Sequence, residues 1–284
     1  MNMLHTLRQG KKRLSGEAQK RIASFTLSQL TENGAFIDKN GNEDLYYTSF
    51  GLMLALIFKL DINISATLKW IDKQEKTLSG LVGYAACFRS RMLCTLLTTN
   101  KLKVAVTRFF TKQPVLPDFA NYPHGDKNSP YSQYILLSLK EDLGIKTSNS
   151  QEIRAALSPY RIETGGYANI RGSRQPTTNA TVAALAIKGQ SGGYIADDEV
   201  MFLRSLQDES GGFLADVSAS VPDLLSTATA LFMLKCYGVA PRIDASDFID
   251  AHWAASGGFY ATLLDESCDV EYTFYGLLAL GAAV

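Results

Sequence analysis

Aliphatic runs punctuate this chain at regular intervals, each preceded by a polar segment that carries a Gly, an aromatic, an Asp or Thr, and a second Thr. Near the C-terminus, Gly211-Gly212-Phe213 leads through Asp223 and Thr227 to Ala230-Leu231-Phe232-Met233-Leu234. Gly257-Gly258-Phe259 leads through Asp269 and Thr273 to Gly276-Leu277-Leu278-Ala279-Leu280, 46 residues later. One further step of 46 residues back reaches Gly165-Gly166-Tyr167, Thr177, Thr181 and Ala183-Ala184-Leu185. A fourth copy, Gly34-Ala35-Phe36, Asp44, Thr48 and Leu52-Met53-Leu54-Ala55-Leu56, has a loop two residues shorter.

The aliphatic runs have helical periodicity and little β-branching, and the glycines stand where a preceding helix must stop. Each unit therefore reads as a helical hairpin, and a fixed period of this size signals stacked supersecondary units. The first hairpin is predicted over Gly16–Leu30 and Asn42–Leu60, and the second over Ile64–Asn100. Tyr131-Ser132-Gln133-Tyr134 and the run after it align with Tyr272–Leu280, behind a loop holding Pro114, Pro117, Pro123 and Pro130. With the pair at Ala155–Lys188 the count is about six hairpins, read as one all-α domain over residues 1–284. The Asp or Thr before each second helix is placed to cap free backbone amides. That reading and a functional one stand side by side for Asp44, Asp223 and Asp269.

Composition narrows the function classes. At 46% hydrophobic and 20% charged over 284 residues, the chain can bury a large core. No run approaches the roughly 20 apolar residues of a membrane span. The N-terminal Lys11-Lys12-Arg13 lacks the apolar stretch of a secretory signal, so a cytoplasmic location and at most peripheral membrane contact are expected. Cys87, Cys94, Cys236 and Cys268 have neither metal-cluster nor disulfide spacing and read as reduced thiols.

Net charge is zero but polarised. Residues Thr77 to Pro117 contain no acid, while Arg89, Arg91, Lys101, Lys103, Arg108 and Lys112 are basic. From Gln190 onward there are 14 acids against Arg204, Lys235 and Arg242. Such a chain can hold phosphate on one flank and carboxylates on another, or present two solvated faces. Nucleic-acid binding is not expected, because the basic stretch carries no recognised motif.

A Gly-Gly-Phe, then Asp-x-x-Tyr-Thr or Asp-Leu-Leu-Ser-Thr, then an aliphatic helix resembles the repeat shared by protein prenyltransferase β subunits and squalene and diterpene cyclases. The resemblance is strongest over residues 34–56, 165–187, 211–237 and 257–281. It implies an α/α toroid whose inner helices surround an aromatic-lined cavity for an isoprenoid chain. It also implies an isoprenoid diphosphate or polyprenyl lipid as ligand, and raises a helical partner subunit.

Family chemistry transfers unevenly. At the zinc-ligand positions of the prenyltransferases stand Asp223, Leu225 and Tyr272, so catalytic zinc is not expected. Magnesium held by carboxylates is the metal that a diphosphate-using transferase would take. At the acidic motif of the cyclases stand Asp223-Leu224-Leu225-Ser226 and Asp269-Val270-Glu271-Tyr272, where Glu271 occupies the proton-donor position. The resemblance thus implies Asp223, Asp269 and Glu271 as candidate catalytic groups. Asp44, Tyr46, Tyr47, Tyr131, Ser226 and Tyr272 are the candidate substrate-binding residues, since aromatic faces suit an apolar chain or a carbocation. Two function classes remain: an isoprenoid-acting enzyme, transferase or cyclase, and a non-catalytic toroid that binds a lipid or a partner peptide.

Overall fold

The computed structural model describes residues 3–98, 128–145 and 155–283. The elements that build the ring are α3 (Leu45–Phe58), α5 (Gly80–Thr98), α6 (Pro130–Asp142), α7 (Thr178–Gln190), α9 (Leu224–Cys236) and α11 (Val270–Ala282). Each packs on the next in chain order, and α11 packs back on α3, which closes an α/α toroid. Outside them lie α2 (Gly16–Ser28), α4 (Ile64–Gln74), α8 (Asp197–Ser205) and α10 (Ser246–Ala251), each against an inner helix. The expected hairpin order holds, with helix ends two or three residues inside the predicted ones in the first hairpin.

The division into inner and outer helices follows from side-chain distribution. Helices α3, α9 and α11 are apolar around most of their circumference, as befits elements covered on both sides. The outer helices α2 and α4 have one apolar stripe, with Ile22 and Phe25, or Trp70 and Ile71, turned inward.

The repeat signature has a local cause. In four hairpins the buried Thr hydroxyl accepts the backbone N–H of the aromatic: Thr48 from Phe36 at 2.9 Å, Thr181 from Tyr167 at 3.0 Å, Thr227 from Phe213 at 2.8 Å and Thr273 from Phe259 at 3.3 Å. In three of these it also donates to the carbonyl of the capping residue, Thr177, Asp223 or Asp269. The loop that ends the outer helix is thereby fastened to the first turn of the inner one. Gly257 shows how neighbouring units meet. It has φ +99°, and a Cβ there would collide with the Arg21 carbonyl of α2, so the last hairpin nests directly on the first.

The N-terminal ends of the inner helices share one rim. Thr178 N–H donates to the Ala215 carbonyl at 2.8 Å, Leu224 N–H to Ala261 at 2.9 Å, and Tyr131 N–H to Asn169 Oδ1 at 3.0 Å. Each link joins one inner helix to the loop of the following unit.

The sequence pattern did not disclose α1 (Met3–Arg13), which covers the opposite end. It crosses α11 where Thr6 and Gly10 meet Leu277 and Gly281, too closely for a Cβ on either glycine. Lys11 Nζ donates to the Ile57 carbonyl at the end of α3, and Lys235 Nζ to that of Gly281 at the end of α11. Both cations sit at the negative ends of helix dipoles. Among the described residues no helix is long and apolar enough to cross a membrane.

Candidate functional site

Asp44, Asp223 and Asp269 all cap inner helices, accepting from Tyr47 N at 3.0 Å, Ser226 N at 2.7 Å and Tyr272 N at 2.8 Å. Thr177 does the same for Ala180. The three aspartates differ in their second oxygen. Asp223 Oδ2 accepts the Ser226 hydroxyl at 2.7 Å, so Asp223 and Ser226 form a self-contained pair. Asp269 Oδ2 is buried and makes no hydrogen bond. Burial raises the pKa of both Asp223 and Asp269, their capped amides opposing it. Asp197 and Asp198 lie in the first turn of α8, where the amide of Ala196 is satisfied by Glu199 Oε2 at 2.9 Å.

Glu271 is the centre of the cluster. It lies in the first turn of α11, 8% exposed, and Oε1 accepts the Tyr46 phenol of α3 at 2.7 Å. Burial pushes its carboxyl up to about 7 from an ordinary 4.5; Asp269 adds to the rise, while the Tyr46 hydrogen bond and Lys39 oppose it. Around it the phenols of Tyr46, Tyr47, Tyr131, Tyr272 and Tyr275 are all held above their ordinary range, in each case first by burial. Tyr131 belongs to α6, across the ring from α11, and is raised further by the charge of Glu271.

The inner face is aromatic. Tyr46 meets Phe50 edge-on at 4.9 Å between centroids, Phe50 meets Phe274 at 5.0 Å and Tyr275 at 5.7 Å, and Tyr272 meets Tyr275 at 6.2 Å. On helices that are otherwise buried, partly accessible residues recur three or four apart: Tyr46 and Phe50, Val182 and Ala186, Leu225, Thr229 and Phe232, Tyr272 and Tyr275. That spacing is one helix face.

Sequence reasoning missed Lys39, Phe50 and Tyr275. Lys39, in the loop of the first hairpin, reaches the last: its Nζ is 3.7 Å from Asp265 Oδ2, 3.9 Å from Asp269 Oδ2 and 4.9 Å from the centre of the Tyr272 ring. Phe50 and Tyr275 were accessible to pattern reading, since each lies four residues after a candidate, Tyr46 and Glu271. The candidates thus divide. Tyr46, Tyr47, Tyr131, Tyr272, Asp269 and Glu271 come together, whereas Asp44 serves its cap and Asp223 with Ser226 forms the neighbouring pair.

Other candidates are engaged elsewhere. Arg89 donates to Asp142 at 2.9 Å, and Arg91 to Asp72 and Glu75. Lys101, Lys103, Arg108 and Lys112 lie outside the described residues. Lys188, Tyr167 and Arg161 converge on the buried Glu199, whose pKa the hydrogen bonds from Lys188, Tyr167 and the Ala196 amide lower against the cost of burial. His252 is buried at the end of α10, its Nδ1 2.7 Å from the Phe248 carbonyl. The four cysteines are free, Cys87 and Cys94 buried.

A zinc ion does not fit the positions the resemblance singles out. Asp223 has both oxygens engaged by Ser226, Leu225 has no donor atom, and burial holds Tyr272 protonated. Among the described residues no group of three or more His, Cys, Asp and Glu is arranged to hold a metal.

The family model "Prenyltransferase alpha-alpha toroid domain" matches residues 1–87 and 110–283. The solved structure of Candida albicans protein geranylgeranyltransferase-I complexed with GGPP is 15% identical, with a TM-score of 0.47, over 98% of this chain and 80% of that one. No curated protein matches the chain.

Proposed function

This chain belongs to the prenyltransferase α/α-toroid family, and from that premise we propose that it is an isoprenoid-acting enzyme with Glu271 as its acid–base group. The carrying observation is the buried Glu271–Tyr46 pair inside an aromatic ring, with the carboxyl raised to about 7. General acid–base catalysis works best when the group titrates near the operating pH, and burial supplies that here. As a carboxylate, Glu271 suits removal of a proton from the carbon next to the carbocation left when an allylic diphosphate breaks its C–O bond and departs as pyrophosphate, the C–H pair becoming the new double bond. The faces of Tyr46, Phe50, Phe274 and Tyr275 suit the cation and the chain that carries it. A carboxyl titrating near 7 is a weak acid for protonating an unactivated alkene, which favours proton removal over cyclase-style initiation.

Residues 1–284 are read as one toroid, supported by the packing of α1 and α3 on α11. A second reading, binding without turnover, is favoured by the aspartates themselves, since Asp44, Asp223 and Asp269 each serve a helix cap.

Photolabelling tests the location. A farnesyl chain bearing a diazirine is expected to mark peptides containing Tyr46–Phe50 and Phe274–Tyr275. Labelling confined to the outer helices would overturn the placement of the chain inside the ring.

A further inference from the structure

Five large apolar side chains that face solvent gather in three equivalent loops. Ile170, Val217, Val221, Leu263 and Leu264 are 72%, 63%, 45%, 63% and 79% exposed. They lie in residues 168–176, 214–222 and 260–268, each the stretch between an aromatic of the repeat and the cap of the inner helix that follows. Val217 and Leu263 are one 46-residue repeat apart, and Ile170 falls one position off the same step.

Hydrogen bonds hold the three loops together as one rim. The Ala215 and Ala261 carbonyls accept from Thr178 N at 2.8 Å and Leu224 N at 2.9 Å, which places each loop over the neighbouring inner helix. Gln175 Nε2 donates to Asp216 Oδ1 at 2.9 Å and to Ser218 Oγ at 2.6 Å, tying the first loop to the second. Within the loops, Asp216 Oδ1 accepts from Ser218 N at 2.7 Å and Asp265 Oδ2 from Thr262 N at 2.9 Å. Amides beside the apolar tips are therefore already satisfied, which lowers the cost of taking those tips out of water.

Clustered apolar side chains on a surface mark an interaction site, and the chemistry of this rim selects the occupant. Ser- and Gly-containing turns separate the tips, so they stand as prongs rather than as one groove for a protein helix. A bilayer interface receives prongs without a complementary pocket, and binding grows with the apolar area inserted. The three loops carry Arg171 and Arg174 against Asp216, Asp265 and Glu266. That near-balance suits zwitterionic headgroups and offers no attraction to an anionic surface.

We propose that this rim is a docking surface for a zwitterionic lipid bilayer, with Ile170, Val217, Leu263 and Leu264 inserted at the interface. Tyr46 and Glu271 lie in the first turns of α3 and α11 at the same rim, so docking sets them on the lipid side of the ring. The inference stands on the loops and does not depend on the isoprenoid reading.

Sedimentation of the full chain with phosphatidylcholine vesicles, in low and in high salt, tests it. The unmodified protein is expected to bind, with little change on adding salt, and roughly ten-fold or more tighter than the combined variant Ile170→Ser, Val217→Ser, Leu264→Ser. Tyr194→Ser removes a side chain 82% exposed beyond the other end of α7 and is expected to leave binding unchanged. Leu264→Trp is expected to shift its fluorescence to the blue when vesicles are added. No binding by the unmodified protein, equal binding by the combined variant, or binding confined to phosphatidylserine-containing vesicles and lost in high salt overturns the proposal. Self-association in light scattering that the combined variant abolishes, without vesicle binding, assigns the prongs to a protein contact and overturns it too. If the combined variant fails to fold, Leu264→Trp without a blue shift is decisive by itself. Each of these outcomes leaves the role of Glu271 to its own turnover test.

Discussion

The phenol of Tyr46 donates to Glu271 Oε1 at 2.7 Å although 225 positions separate them. Each residue lies in the first turn of its helix, and the bond spans the seam where the last hairpin meets the first. Ring closure and the electrostatics of the candidate site are therefore one event.

Tyr46 and Lys39 favour the charged form of Glu271, the first by its hydrogen bond and the second by its charge. Tyr46→Phe and Lys39→Met are each expected to raise the Glu271 pKa above about 7. A carboxyl-stretch infrared titration, with Glu271→Gln to assign the band, checks it. A midpoint that stays put or falls in both variants would contradict the assignment.

Stability should carry the same signature. The folded-state pKa of Glu271, about 7, lies above its ordinary 4.5, so between these values the folded chain holds a proton that the unfolded chain has lost. Its contribution is fully present below about pH 4.5 and declines as pH rises through 7, by about 3 kcal/mol in all. Urea melts at pH 5 and pH 8 are expected to show Glu271→Gln gaining on the unmodified protein at the higher pH. An equal difference at both pH values would rule this out.

The repeat threonines can be ranked by what they hold. Thr227 accepts the buried Phe213 amide and donates to the Asp223 carbonyl, whereas Thr229 bonds only carbonyls of its own helix. Thr227→Val is expected to cost about 1–3 kcal/mol by leaving that amide unpaired, and Thr229→Val less than about 1 kcal/mol. Comparable losses in thermal melts would show that the bridge is not what fastens the hairpin.

Two glycines with similar backbone angles should behave differently. Gly41 has φ +80° with open space around it, and Gly257 has φ +99° against the Arg21 carbonyl. Gly41→Ala is expected to lose about 1–2 kcal/mol from backbone strain alone. Gly257→Ala should lose at least twice that, because it also forces the seam apart. Equal melting shifts would mean the closure tolerates the methyl.

How much was readable from sequence follows from the range of each interaction. The hairpins, the caps at Asp44, Asp223 and Asp269, and the Thr bridges arise within 15 residues of chain, so they repeat with the period and show in the pattern. Tyr46, Tyr131, Tyr272 and Glu271 were placed by the same repeat alignment. Lys39 was not, because it meets Asp265 and Asp269 only once the ring closes, and its loop is two residues shorter than those of the other copies. The helix α1 was hidden for a related reason. It makes its fit through Gly10 and Gly281, a contact between chain ends that leaves no periodic trace.

The most direct test of Glu271 as the acid–base group is turnover. The unmodified protein and Glu271→Gln, matched for melting temperature and for retained ligand, would be incubated with farnesol, farnesyl diphosphate and squalene, and the products analysed by mass spectrometry. A product formed by the unmodified protein and reduced at least a hundred-fold in Glu271→Gln, with binding unchanged, is the expected result. Undiminished product in the variant, or ligand bound and never converted by either protein, would contradict it.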